Sequence, residues 1–119
     1  MAKSILVMVT KSPYGYEEAF AGLRLALGMM VSGQVEKCGV LLVGDGTLNA
    51  VKQQHPEAVG MPSNVEAIND LIDFDMPILC VSEDLLDRVG KVETLEAVKM
   101  VDWAEARAMI EQYDLVNTF

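Results

Sequence analysis

Ile5-Leu6-Val7-Met8-Val9 is a continuous apolar run that stops at the turn-forming Thr10-Lys11-Ser12-Pro13-Tyr14-Gly15. An alternating strand keeps one face wet. A continuous one is covered on both faces, as in parallel sheets held between helix layers. The same pattern recurs at residues 39–43, closed by Gly44-Asp45-Gly46, and at residues 77–81. Residues 98–101 and 114–119 predict two further short strands.

Helical patterns separate these runs. Ala19, Phe20, Leu23, Leu27, Met30 and Val31 recur at three- and four-residue spacing, predicting a helix with that stripe inward and Gly33 at its end. Ser63-Asn64-Val65-Glu66 and Asp102-Trp103-Ala104-Glu105 have capping-box spacing, in which side chains satisfy free backbone amides at a helix start. The first opens a helix with Ala67, Ile68, Leu71 and Ile72 inward; the second places Trp103, Ala106, Ile110 and Tyr113 on one face. Ser82 is the expected cap of a short helix through Leu85, Leu86 and Val89, stopped at Gly90. Residues 47–62 are the least regular: His55-Pro56 and Gly60-Met61-Pro62 break any helix that starts at Thr47. Alternating strands and helices imply right-handed crossovers and one α/β domain over residues 1–119, with a mostly parallel sheet of about five strands.

The chain has 119 residues, of which 51% are hydrophobic and 23% charged, a balance that fits a folded domain rather than a disordered chain. Nine Lys and Arg against eighteen Asp and Glu give a net charge of -9. Such a surface repels phosphate backbones and anionic lipid, so direct binding to nucleic acid or membrane is not expected. No secretory pattern follows Met1-Ala2-Lys3-Ser4, and no stretch nears the roughly 20 apolar residues that span a bilayer. The expected setting is the cytoplasm, where thiols stay reduced. Cys38, Cys80 and the single His55 are too few for a four-ligand Cys/His site, so no metal is expected. No P-loop, dinucleotide fingerprint or nucleophile elbow is present, so no organic cofactor is expected either.

Functional groups of open parallel sheets gather beyond the carboxyl ends of the strands. Residues 10–15, 44–47 and 80–82 meet that description. In the last of these, Cys80 sits at a strand end just before a helix, whose first-turn amides and dipole favour thiolate over thiol. A thiolate can accept and pass on sulfur. Against this, Glu83 and Asp84 raise a neighbouring thiol pKa, with Lys11, Arg88 or a neighbouring subunit able to offset them. Free cysteine is also a common buried packing residue, so both readings of Cys80 stand. Cys38, at the start of a strand, reads as structural.

Lys11, Ser12, Tyr14, Asp45 and Ser82 are the loop-edge candidates for substrate contact. Asp45 is equally expected to bond the backbone of its own turn, and Gly44 and Gly46 to supply positive φ there. Tyr14 and Tyr16 would line a pocket or a subunit contact. His55, Asp70, Asp73 and Asp75 read as solvated.

Several of these segments together match a known pattern. Lys11-Ser12-Pro13-Tyr14-Gly15, opening a helix with Ala19 and Leu23, resembles the K/T-x-P-Y/H-G start of the DsrF and TusC branch of the DsrE/DsrF-like sulfur-relay family. Leu41-Leu42-Val43-Gly44-Asp45-Gly46 is similar to that family's second strand and its DGV turn. Tyr113-Asp114-Leu115-Val116-Asn117-Thr118-Phe119 is similar to the branch's terminus. Cys80-Val81-Ser82 with Leu85 and Arg88 resembles the strand end where DsrE- and TusD-type members carry a sulfur-accepting cysteine.

The resemblance implies a flavodoxin-like three-layer sandwich. It also implies a homo-oligomer, trimer or hexamer, or a hetero-oligomer with paralogous subunits. In one reading the chain is a sulfur carrier or sulfurtransferase. Cys80 is then the catalytic residue and takes a persulfide from a donor protein to an acceptor protein, without metal or organic cofactor. In the other, the chain is a non-catalytic DsrF/TusC-like subunit or a small-ligand-binding oligomeric module, with Cys80 structural.

Overall fold

The computed structural model describes residues 3–14 and 17–119; Gly15 and Tyr16, named above as loop residues, lie outside them. Five strands, β1 (Ser4–Val9), β2 (Lys37–Leu42), β3 (Ile78–Val81), β4 (Lys99–Val101) and β5 (Leu115–Thr118), form one sheet in the order β4-β3-β2-β1-β5. Every pairing is parallel, with Val7 opposite Val40, Leu42 opposite Cys80, Leu79 opposite Lys99 and Leu6 opposite Val116. The helices are α1 (Glu18–Ser32), α2 (Asn64–Ile72), α3 (Ser82–Val89) and α4 (Trp103–Glu111), with 3-10 segments at Gly44–Ala50 and Pro56–Val59. This is the parallel α/β sheet that the continuous apolar strands predict, in the flavodoxin-like form that the family resemblance implies.

Period-two alternation divides the core into two layers. Ile5, Val7, Val9, Val40, Leu42, Ile78 and Cys80 pack with Leu23 of α1 and with Ile68 and Leu71 of α2. Leu6, Leu41, Val43, Val81 and Val101 point the other way, toward Ala106 and Met109 of α4 and Tyr113 beyond it. Burying a side chain such as Leu23 or Ile68 contributes about 1.5–3 kcal/mol before the entropy of ordering it. No helix among the described residues is long and apolar enough to cross a membrane.

The helix starts follow their caps. Asp102 and Glu105 form the complete reciprocal box at α4, while Ser63 caps α2 by accepting from the Glu66 amide. At the far end of α1, Gly33 adopts φ 70 and terminates the helix. The inward face of α1 follows the predicted stripe except at Val31: Ala19 and Leu23 are buried, and Phe20, Leu27 and Met30 pack against the core. Its buried line is Ala19, Gly22, Leu23 and Ala26, and Val31 is 63% exposed. Apolar residues occur almost all round this helix, so spacing does not mark where the stripe ends. Within the buried line, a side chain at Gly22 would collide with the Phe119 ring.

Candidate functional site

The chain reverses across the sheet after β4, so the carboxyl ends of β3 and β4 form the switch point where ligands bind in open α/β sheets. Here the chain's own groups occupy it. Glu83 Oε1 accepts from the Trp103 amide at 3.0 Å, and Asp84 Oδ1 accepts from the Trp103 indole Nε1 at 3.1 Å. Asp84 Oδ2 also accepts from the Gly44 amide at 2.7 Å. One carboxylate thus ties the ends of β2 and β3 to the start of α4. With Glu83 and Asp84 in the first turn of α3 and Asp102 and Glu105 at α4, both helix starts here carry acids, which oppose a bound anion.

Cys80 lies in this edge but beneath its surface. The residue has 0% exposure, belongs to the α1 and α2 layer of the core, and directs its Sγ toward the Thr47 carbonyl at 4.0 Å. Burial, and secondarily the Asp84 charge, pushes its thiol up to about 12. The lowering expected from a following helix does not prevail, because desolvation of a thiolate outweighs a helix dipole. Arg88 does not offset Asp84 at the thiol; its Nε donates to Asp45 Oδ1 at 2.7 Å. Cys38 is also buried, and burial raises its thiol, partly offset by the Gly39 backbone amide.

The loop-edge candidates divide into two groups. Asp45 faces Arg88 of α3 rather than its own turn, a partner 43 residues away that turn chemistry does not reveal. Ser82 is the first residue of α3 and not its cap; its Oγ donates to the Val101 carbonyl at 3.2 Å, joining β3 to β4. Gly44 takes φ 54, as predicted, whereas Gly46 does not have positive φ. Gly46 is needed for room: a Cβ there would collide with the Val9 carbonyl.

Lys11, Ser12 and Tyr14 gather on the other side, against the irregular segment. Ser12 Oγ donates to the Tyr14 carbonyl at 3.1 Å, and Tyr14 Oη donates to Gln54 Oε1 at 2.8 Å. Asn49 Nδ2 donates to the Lys11 carbonyl at 3.0 Å and the Gly46 carbonyl at 2.9 Å. Asn64 Nδ2 donates to Asn49 Oδ1 at 2.6 Å, and Gln54 Nε2 donates to the carbonyls of Asn49 and Val51. Sequence reasoning missed this amide network. Its only visible signal is the set of amide side chains in and just after the stretch without hydrophobic period. Exposed His55 faces Glu57 at 3.6 Å, and Asp70, Asp73 and Asp75 are exposed as expected.

This arrangement has known counterparts. The model of the DsrE/DsrF-like family matches residues 3–119. Protein MJ0989 of Methanocaldococcus jannaschii is 29% identical over 114 residues, covering 95% of this chain and 96% of that one. Protein MK0008 of Methanopyrus kandleri is 27% identical over 113 residues, covering 95% and 84%. Among solved structures, the ychN protein from E. coli superposes with a TM-score of 0.86 at 20% identity, over 98% of this chain and 99% of that one. That likeness is one of fold. With the family pattern running from Lys3 to the final Phe119, the chain belongs to the DsrE/DsrF-like family.

Proposed function

We propose that the chain is a non-catalytic, oligomer-building subunit of a sulfur-relay assembly in the cytoplasm, with Cys80 as a packing residue. The observation that carries this reading is the Cys80 sulfur, which has no exposed surface and a thiol pushed up to about 12. At neutral pH such a thiol is ionised on the order of once in 100,000 molecules, and the thiolate is the form that attacks a persulfide. The switch point next to it is tied shut by Asp84 and Trp103. Assembly is supported by exposed Leu86, Val89 and Val92 beside a groove of about 340 Å³ lined by Leu85 and Met100. Both cysteines are free, which suits a reducing compartment.

Light scattering tests it. A mass of several chains, unchanged in Cys80→Ala, is expected; a mass of one chain across a wide concentration range overturns the reading.

A second reading keeps Cys80 as a persulfide carrier between donor and acceptor proteins. Family membership and the thiol's place next to the end of β3 favour it. It requires the Gly44–Ala50 segment to lift from the sulfur, since Thr47 touches it. Faster alkylation of Cys80 on mixing with a persulfide-bearing protein would identify that motion.

A further inference from the structure

The amino-terminal half of the sheet's α4 face carries a groove that none of the contacts at the carboxyl edge use. It arises because α4, nine residues and therefore roughly 13 Å long, is the helix whose side chains pack this layer of a five-stranded sheet. Strand alternation turns Lys37, Gly39 and Leu41 of β2 toward it, together with Leu79 of β3 and Lys99 of β4. The resulting space is about 370 Å³, within the size range of small-molecule sites, and Leu79 and Met109 give it an apolar lining.

Its charge runs against that of the chain. In a protein of net charge -9, two lysines and one carboxylate, Glu105, line this groove. Glu105 is already occupied: its Oε2 lies 4.0 Å from Lys99 Nζ, and its Oε1 accepts from the Asp102 amide in the cap of α4. Lys37 has no carboxylate partner among the described residues; its Nζ lies over the Tyr113 ring, 4.4 Å from the centroid. Gly39 makes this possible, since a Cβ there would collide with the Tyr113 hydroxyl. That hydroxyl makes no hydrogen bond to another described residue. One end of the groove thus offers an ammonium and a phenol, the middle is apolar, and the far end is closed by the Lys99–Glu105 pair.

We infer that this groove binds a small organic anion with an apolar body, the anionic head on Lys37 and the Tyr113 hydroxyl and the body on Leu79 and Met109. The acid-lined carboxyl edge is unsuited to such a ligand, so this site lies at the opposite end of the strands and is independent of Cys80.

Phenyl phosphate is a suitable probe, with phenylacetate to compare head groups and with inorganic phosphate and phenol as half-ligands. Titration of the full chain by amide NMR should give saturable shifts centred on Leu79, Met109 and Tyr113 with phenyl phosphate or phenylacetate. Each half-ligand should bind at least about tenfold more weakly. Lys37→Gln should weaken binding by roughly tenfold and Lys99→Gln by less, whereas Lys91→Gln should leave it unchanged. Lys37 and Lys99 are exposed, so these variants keep the fold. Absence of saturable shifts at millimolar probe overturns the inference, as does inorganic phosphate binding as tightly as phenyl phosphate. Shifts at these residues that follow dilution of the protein alone would also overturn it, assigning the groove to contact between copies.

Discussion

The Cys80 sulfur meets the Thr47 carbonyl oxygen at 4.0 Å, so the 3-10 segment after β2 lies directly against the thiol of β3. A chemically reactive cysteine needs the reverse arrangement, an opening to solvent and nearby positive charge. Here the charge that bears on the thiol is a carboxylate, Asp84, and the Arg88 guanidinium is engaged by Asp45.

Alkaline stability should report that burial. The folded thiol titrates near 12, above the ordinary value of 9.0, so between these pH values the unfolded chain has lost a proton that the folded chain keeps. Stability from this group is intact below about pH 9 and declines as pH rises toward 12, by about 1.4 kcal/mol per pH unit at most. Cys80→Ala should lose about 1 kcal/mol at pH 7 by leaving a small cavity, yet show a shallower decline above pH 9. Urea midpoints across that range measure both. Cys38, Tyr14 and Tyr113 are also raised and contribute in the same direction, and they remain in the variant.

Asp84 holds Gly44 and Trp103 together through separate oxygens. Asp84→Ala removes both acceptors and should cost about 1–3 kcal/mol, with a red shift in the emission of Trp103. Asp84→Asn keeps one acceptor and should cost less. Unchanged emission and an unchanged urea midpoint in the alanine variant would contradict the assignment.

The two glycines of the turn after β2 should respond differently. Gly46→Ala drives a methyl into the Val9 carbonyl, and displacing backbone should cost more than about 2 kcal/mol. Gly44→Ala meets only the Arg88 side chain at 3.6 Å and suffers from φ 54, a cost of about 1 kcal/mol. Thermal denaturation of the two variants in parallel checks the order; a reversal would contradict it.

These particulars also mark what the sequence makes legible. The strands are readable because runs such as 5–9 and 77–81 are continuous, too short for a helix and separated by turn residues and helical patterns. The start of α4 was readable because Asp102 and Glu105 are three residues apart, within reach through local geometry. Asp45–Arg88 and Gly44–Asp84 were not, since they join residues 43 and 40 positions apart that only the sheet order brings together. The same holds for Cys80. Its place beside a strand end follows from local pattern, but its seal depends on where an irregular segment folds back. The wrong face assigned to Val31 has another cause, an α1 so apolar that period does not mark the limit of the buried side.

The most direct test of the account is intact-mass analysis of the reduced native protein after incubation with a persulfide donor, beside Cys80→Ser. The account predicts no added sulfur that depends on Cys80 in the native chain, and loading only once the fold is opened with denaturant. Added sulfur on the native protein that disappears in Cys80→Ser would contradict it.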